Sequence, residues 1–292
     1  LDANTTANSS TAMGYLSLSG NTTGAANTAF GHRALLANTT AQYNTAVGQA
    51  SLEANTTGAE CTAIGRSALG SNTTGSSNTS LGTYAGLHVT TGGGNTLVGH
   101  AAGAQSVNLT TGSNNTIVGF QCRTGASDND ASIVLGFGVT GVGTRNFTFG
   151  DGSTDSNIAA GATSITAPSD IRLKEDIQDE EVGLNFINDL RPVTFQWKKE
   201  KDIPSEMKAY KEGSEERTMN GKYNHGFIAQ EVKKTIDNHN LKEGFDMWSE
   251  DEADGRQRVA PNALMSVMVK AVQELSTQVD ELKQELKTLK GE

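Results

Sequence analysis

The chain has 292 residues, a formal net charge of −10 and two cysteines. The acidic balance argues against a nucleic-acid partner, which would need a basic surface. No apolar run approaches the roughly 20 residues of a membrane-spanning helix, so we expect no membrane insertion. Cys61 and Cys122 lie too far apart to form a disulfide framework, and we expect them to be small buried residues of a reducing compartment.

The composition changes abruptly near residue 168. Residues 1–168 contain no lysine and a single proline, Pro168, whereas both tryptophans follow Ser169. Such a change marks a border between two architectures. We assign residues 1–150 to a repeat domain, 151–168 to a polar linker and 169–292 to a second domain. Because the chain begins at Leu1, we expect upstream segments of the same protein.

Residues 1–150 repeat with an almost constant period. The motif Asn-Thr-small-apolar-Gly recurs at a step of 17 residues, with its glycine at Gly14, Gly31, Gly48, Gly65, Gly82 and Gly99. Later copies end at Gly119, Gly136 and Gly150, after steps of 20, 17 and 14 residues. A fixed period indicates stacked identical units, and the short apolar motif predicts one strand per unit. The repeat domain is therefore predicted to be a β-solenoid.

Each predicted strand carries apolar or small side chains on both faces. In the third strand, Thr45 and Val47 point one way and Ala46 points the other. A thin coil has one interior, so the other face should need a partner chain. We expect the small residues to let three chains approach around an axis. Amide ladders are expected along the stacked asparagines Asn27, Asn44, Asn78, Asn95 and Asn115.

The strand motif resembles that of the β-roll heads of trimeric adhesins, which implies a trimeric β-roll. No charged, aromatic or histidine cluster is expected to recur in the repeat. His32, His88 and His100 have no acidic partner at metal-ligand spacing, so we expect them to be surface residues and predict no metal site.

The second domain is predicted to be small and α+β. Leu184, Ile187 and Leu190 form one side of a short helix that stops at Pro192. A strand is expected at 193–197, a charged excursion at 198–220, and a strand at 223–228 that leads into a helix. The acidic run 250–254 lacks the alternating spacing of a calcium loop, so a solvated turn is expected.

Residues 262–290 form the clearest helix. Apolar residues alternate by three and four positions: Met265, Met268, Val272, Leu275, Val279, Leu282, Leu286 and Leu289. This heptad seam predicts an oligomeric coiled coil. The alternative is an amphipathic core helix of a monomer. The seam continues almost to the last residue, beyond any visible core, which favours the coiled coil.

The domain border carries a serine and a lysine that could act together. Ser169 precedes Lys174 by five residues, and the Pro168 carbonyl is adjacent to the serine. A serine nucleophile needs a base, and a lysine can serve only when burial or a neighbouring cation, here Arg172, favours its neutral form. The alternative is that Ser169 and Asp170 cap a structural turn. From these residues alone, the cap is favoured.

Four motifs in order add a resemblance. They are 169–174 (SDIRLK), 190–193 (LRPV), 226–232 (GFIAQEV) and the terminal heptad helix. Together they resemble the intramolecular chaperone of phage tailspikes and tail fibres, of the endosialidase C-terminal type, over about residues 168–290. The expected fold is thus a mainly β solenoid, a trimeric β-roll, followed by a small α+β domain that ends in a long coiled-coil helix.

The resemblance also implies a function. The domain would be a homotrimeric chaperone that folds the β-rich fibre ahead of it and then cuts the Pro168–Ser169 bond. Ser169 would be the nucleophile and Lys174 the base, with Asp170 and Arg172 as supporting residues and no cofactor. The implied location is a virion tail fibre or tailspike that binds a host-cell surface receptor.

Two other classes of function remain open. One is an uncleaved trimeric adhesin whose C-terminal domain is a permanent trimerisation cap, which the mass of the purified product would distinguish. The other is a secreted structural or ice-binding solenoid, against which the lack of secretion signals and disulfides counts.

Overall fold

The computed structural model describes residues 3–105, 108–162, 164–207, 209–219, 221–241, 245–251 and 255–290. The chain divides into two compact units, Leu1–Lys174 and Glu175–Glu292. The first unit is a β-solenoid of about 8 turns, and the second is a small α/β region with a long C-terminal helix. The predicted fold class is confirmed.

The solenoid strands form one ten-stranded sheet in chain order. Strands β1 to β9 pair in parallel, and each repeat residue lies beside its equivalent in the next coil. The last strand, β10, is antiparallel to β9 and lies within the segment assigned as a linker. The strands are β1 Thr11–Met13, β2 Thr28–Phe30, β3 Thr45–Val47, β4 Thr62–Ile64, β5 Thr79–Leu81, β6 Thr96–Val98, β7 Thr116–Val118, β8 Ile133–Gly136, β9 Asn146–Gly150 and β10 Ser156–Ala159.

The middle residue of each repeat strand faces the interior of its own coil. Ala46 and Ala63 are fully buried in the same apolar cluster as Leu52 and Leu69 from another side of the coil. The expectation that the small residues face an axis between chains is therefore wrong. They are small because leucines from the far side fill the coil. The larger apolar residues of the strands point outward instead.

The interior keeps its volume when the strand residue grows. Leu97 and Ile117 stand where earlier coils have alanine. At the positions where earlier coils have Leu52 and Leu69, the later coils have Gly86 and Gly103. A Cβ added to Gly86 would lie 2.5 Å from Leu97 Cδ1, so the glycine makes room for the larger strand residue. This exchange preserves close packing along the solenoid.

Two asparagine columns bind neighbouring coils together. In the column Asn21, Asn38, Asn55 and Asn72, each later amide donates to the previous amide oxygen at 2.7, 3.1 and 2.8 Å. The asparagine column predicted from the sequence, which begins at Asn27, forms different contacts. Its side-chain oxygens accept mainly from backbone N–H groups of the next coil. Asn27 Oδ1 accepts from Asn44 N at 3.0 Å, for example. The predicted amide-to-amide contact occurs there between Asn115 and Asn95, at 3.0 Å.

The glycine that ends each strand is required by the stacking itself. Gly65 has a φ of +134°, and an added Cβ would lie 2.5 Å from the carbonyl oxygen of Gly82 in the next coil. A side chain would therefore meet both backbone strain and a clash with backbone. The same geometry recurs in the coils on either side, at Gly48 and Gly82.

Residues that follow these glycines build aromatic contacts on the outside of the solenoid. The His100 ring stacks on Phe120 with centroids 5.1 Å apart, and Phe120 stacks on Phe137 at 5.3 Å. Tyr15 and His32 stack in the same way at 5.6 Å. The expectation that no aromatic or histidine cluster recurs is therefore wrong, because in-register stacking makes residues one repeat apart into neighbours.

The elements of the second unit are α1 Leu184–Asp189, β11 Val193–Phe195, β12 Asn224–Gly226, α2 Ala229–Asn238, β13 Trp248–Glu250, β14 Gln257–Val259 and α3 Leu264–Lys290. Among the residues described there, three α-helices accompany two antiparallel strand pairs, β11 with β12 and β13 with β14. The hairpin β13–β14 was not anticipated from the sequence. Asp251 pairs there with Arg258 at 2.6 Å, and residues 252–254 of the acidic run lie outside the described residues.

Helix α3 contributes to the core with one face and exposes another. Leu264, Val267 and Ala271 are buried, and the first two pack in a cluster with Phe186 and Val232. Glu274 Oε2 accepts from Leu184 N at 2.8 Å and so caps the start of α1. The predicted heptad seam is a different set of residues, and all of it is exposed in the single chain: Met265, Met268, Val272, Leu275, Val279, Leu282, Leu286 and Leu289.

We expect the Asn55→Asp variant to unfold at a lower temperature than the parent. The substitution would replace a donor with a buried carboxylate that faces Asn38 Oδ1 and the Gly58 carbonyl, at a cost of about 3 kcal/mol or more. Burial would raise the folded-state pKa of the new carboxyl, so stability should recover as the pH falls. Thermal unfolding followed by circular dichroism measures both effects.

The matched control is Thr57→Ala, an exposed position in the same turn, which should stay within about 0.5 kcal/mol of the parent. Equal melting temperatures for the two variants would contradict a stabilising amide ladder.

Candidate functional site

Residues 169–174 form a tight turn at the end of the first unit. Asp170 caps a 3₁₀ turn at Ile171–Leu173, where its Oδ1 atom accepts from Arg172 N at 2.9 Å. Lys174 N donates to the Ile171 carbonyl at 3.1 Å and closes the turn. The turn folds the chain back, so that the side chain of Lys174 can reach Ser169.

The turn brings the two predicted catalytic side chains together. Lys174 Nζ lies 2.8 Å from Ser169 Oγ, within hydrogen-bonding distance. This is the contact that a base needs in order to take the hydroxyl proton. The capping alternative also describes a real feature, because Asp170 caps the turn while Ser169 contacts the lysine. The two interpretations are therefore compatible.

Asp170 and Arg172 form a bidentate ion pair beside the turn. Arg172 Nε lies 3.0 Å from Asp170 Oδ1, and Nη2 lies 2.5 Å from Oδ2. The side-chain and then the backbone hydrogen bonds of Arg172 lower the pKa of the Asp170 carboxyl, and the same carboxylate raises the pKa of Arg172. Because Asp170 neutralises the guanidinium, Arg172 stabilises the turn and offers little free positive charge to Lys174.

The whole turn is exposed in the single chain. Residues 169–174 are all solvent-accessible, including the apolar side chains of Ile171 (71% exposed) and Leu173 (63%). The contact between Ser169 and Lys174 is therefore open to solvent in the single chain. These two apolar residues were not anticipated as part of the site, although an apolar pair between charged residues was visible in the sequence.

The described residues contain neither of two further kinds of site, a metal cluster and a membrane-spanning helix. Among those residues, no group of three or more His, Cys, Asp or Glu side chains is placed to hold a metal ion. No helix within them has the length and apolar character needed to cross a bilayer. Cys61 and Cys122 are free and fully buried, and burial raises the pKa of both thiols.

Comparison with known proteins identifies the segment that begins at Ser169. Residues 169–241 match the family model described as "Chaperone of endosialidase", which covers about a quarter of the chain. No curated protein and no solved structure gives a significant match. The resemblance stated from the motifs is therefore confirmed for these residues, and the solenoid that precedes them agrees with it. The family implies a self-cleaving peptidase.

We expect the Asp170 carboxyl to titrate below the 3.8 of an ordinary aspartate in the Ser169→Ala protein. Arg172→Gln removes the guanidinium, so the midpoint should move up towards the ordinary value. Carbon NMR of selectively labelled aspartate measures both midpoints. The same midpoint with and without Arg172 would show that the ion pair does not form in solution.

Proposed function

We propose that the chain is the C-terminal part of a phage tail fibre or tailspike. Its second domain drives trimerisation and folding of the solenoid, and then releases itself by cutting the Pro168–Ser169 bond. The observation that carries the proposal is the 2.8 Å contact between Ser169 Oγ and Lys174 Nζ, at the start of the segment that matches the chaperone family.

The reaction would begin with transfer of the Ser169 hydroxyl proton to a neutral Lys174 amine. Oγ then attacks the carbonyl carbon of Pro168, the residue just before it, so that proximity is built into the chain. When the tetrahedral intermediate collapses, the C–N bond breaks and the Ser169 nitrogen leaves as an amine with the proton returned by Lys174. The resulting ester joins Pro168 to Ser169 Oγ. Water hydrolyses it to a Pro168 carboxylate and restores the serine hydroxyl.

Assembly would switch the reaction on. In the single chain, the turn is exposed, and Ile171 and Leu173 present apolar surface next to the reacting pair. Covering these side chains in the assembled protein would remove water from the turn and favour the neutral form of the lysine. Cleavage would then report that the domain has assembled, and an unassembled chain would stay intact.

The heptad seam of α3 supports the trimer. Its eight residues are exposed in the single chain, whereas the core contacts of α3 use other residues. The chaperone family itself suggests trimer formation. Stacking of a long parallel sheet depends on contacts distant in sequence and is slow. Joining three chains at one end raises their effective concentration, which is how the domain would assist folding of the solenoid.

We expect Ser169→Ala and Lys174→Ala proteins to remain uncut and still to trimerise. Lys174→Arg should also remain uncut, because a guanidinium does not give up its proton. Ser164→Ala, an exposed serine upstream of the site, is the control and should cut normally. Denaturing electrophoresis and the N-terminal sequence of the released domain provide the readout.

A released fragment that begins anywhere other than Ser169, or normal cutting by Lys174→Arg, would refute the dyad. An intact parent chain that is already trimeric would favour the alternative of an uncleaved adhesin with a permanent cap, for which the exposure of the turn is the supporting observation.

We expect Leu275→Glu to abolish both trimerisation and cleavage. Carboxylates placed on the seam would repel one another in a bundle and lose the apolar contact. Ser276→Glu, one residue along on the same helix and off the seam, should trimerise and cut as the parent does. Sedimentation and the extent of cutting measure the two effects. Normal cutting by a Leu275→Glu protein that does not trimerise would show that cleavage does not depend on assembly.

A further inference from the structure

The outward face of the solenoid sheet carries a continuous apolar stripe. We define it as the third residue of strands β1 to β8 together with Phe149 of β9, which the parallel register places side by side. Its members are Met13, Phe30, Val47, Ile64, Leu81, Val98, Val118, Leu135 and Phe149. Met13 is 63% exposed, Phe30 51% and Leu81 47%, whereas Val47, Val98, Leu135 and Phe149 are half-buried, so the stripe is an apolar surface that water reaches along its whole length.

A neighbouring column of stacked residues shows which residue types occur at an outward position that is open to water. The residues directly after the strand-ending glycines also stack coil upon coil, and they vary freely in polarity: Tyr15, His32, Gln49, Arg66, Thr83, His100, Phe120 and Phe137. The stripe, by contrast, contains no polar or charged residue in any coil. Since an outward position open to water would tolerate such residues, the stripe has the composition of a covered surface.

The occupant that fits this stripe is another copy of the same chain. A partner that covers it from end to end must present apolar groups at the same rise of about 4.8 Å per coil. The solenoid itself has that spacing. The strands β1 to β7 contain no charged residue, so equivalent strands of two chains can face each other without repulsion. Their other outward position is threonine throughout, at Thr11, Thr28, Thr45, Thr62, Thr79, Thr96 and Thr116.

We propose that the apolar stripe is the surface along which the solenoids of the assembly pack, parallel and with each coil against the same coil of its neighbours. The number of copies, three, rests on the function proposed above. Around a three-fold axis parallel to the solenoids, each stripe residue meets its own counterparts. Leu81 of one chain therefore lies against Leu81 of the others. The apolar contact lies between chains, whereas the alanines lie inside each coil.

Cysteine cross-linking of the full chain tests this surface. Leu81→Cys treated with a bifunctional maleimide of short spacer should give covalently joined chains on a denaturing gel. Thr74→Cys, an exposed turn position in the neighbouring coil, should give at most a trace. The native Cys61 and Cys122 are fully buried and should not react in the folded protein. Val47→Cys is a second stripe variant, measured alongside Leu81→Cys, and it keeps the test decisive if one of the two folds poorly.

Cross-linking at both stripe positions with little at Thr74 supports the proposal. Equal cross-linking at all three positions, or none on the stripe of a folded protein, overturns it. The same gels report cutting at Ser169, which tests the proposed function separately. If the protein cuts itself and its solenoid fragment sediments as a monomer, only the stripe proposal is refuted. If the protein fails to cut itself yet cross-links at Leu81, only the proposed cleavage is refuted.

Discussion

In-register stacking of one coil on the next is the constraint on which the solenoid depends. The strand pairs and asparagine columns join equivalent residues of neighbouring coils, so a residue that satisfies the contact once is selected again one repeat later. This explains why glycine must follow each strand, where the next carbonyl leaves no room for a Cβ. It also explains why asparagines, whose amides both donate and accept, occupy the buried polar columns. The interior follows a looser rule, because only its total volume must stay constant.

The 169–174 turn shows how far local structure can prepare a reaction. A capping carboxylate, an ion pair and one closed turn place the hydroxyl of Ser169 next to the amine of Lys174. Position is therefore set by contacts within six residues. The proposed reaction would also require water to be excluded from the turn, which these local contacts do not achieve. The single chain leaves the turn exposed, so geometry and reactivity would be controlled separately: the first by sequence neighbours, the second by assembly.

Two periodic apolar surfaces remain uncovered in the single chain, one on each unit. The stripe follows the coil repeat, and the seam of α3 follows a heptad repeat. Helix α3 serves two partners: Leu264, Val267 and Ala271 complete the core of its own unit, while the seam faces away from that core. Each unit therefore has its own apolar core and, apart from it, an exposed apolar surface suited to association with another chain.

The sequence alone determined the repeat, its strands, the short helix at 184–189, the presence of strands β11 and β12, the terminal helix and the likeness to the chaperone family, since each depends on local residue patterns. The pairing of β11 with β12 was visible only in the structure. The residues alone favoured a capping turn at 169–174, and it was the resemblance to the chaperone family that paired Ser169 with Lys174, whose side chains the turn brings to 2.8 Å. Tertiary structure decided which strand face lies inside the coil. Ala46 and Val47 are both apolar, and only the leucines on the opposite side of the coil show that the interior has space for alanine at this position. Tertiary structure likewise decided the hairpin β13–β14, the aromatic stacks and the ion pair of Asp170 with Arg172, each of which depends on how the backbone brings side chains together in space.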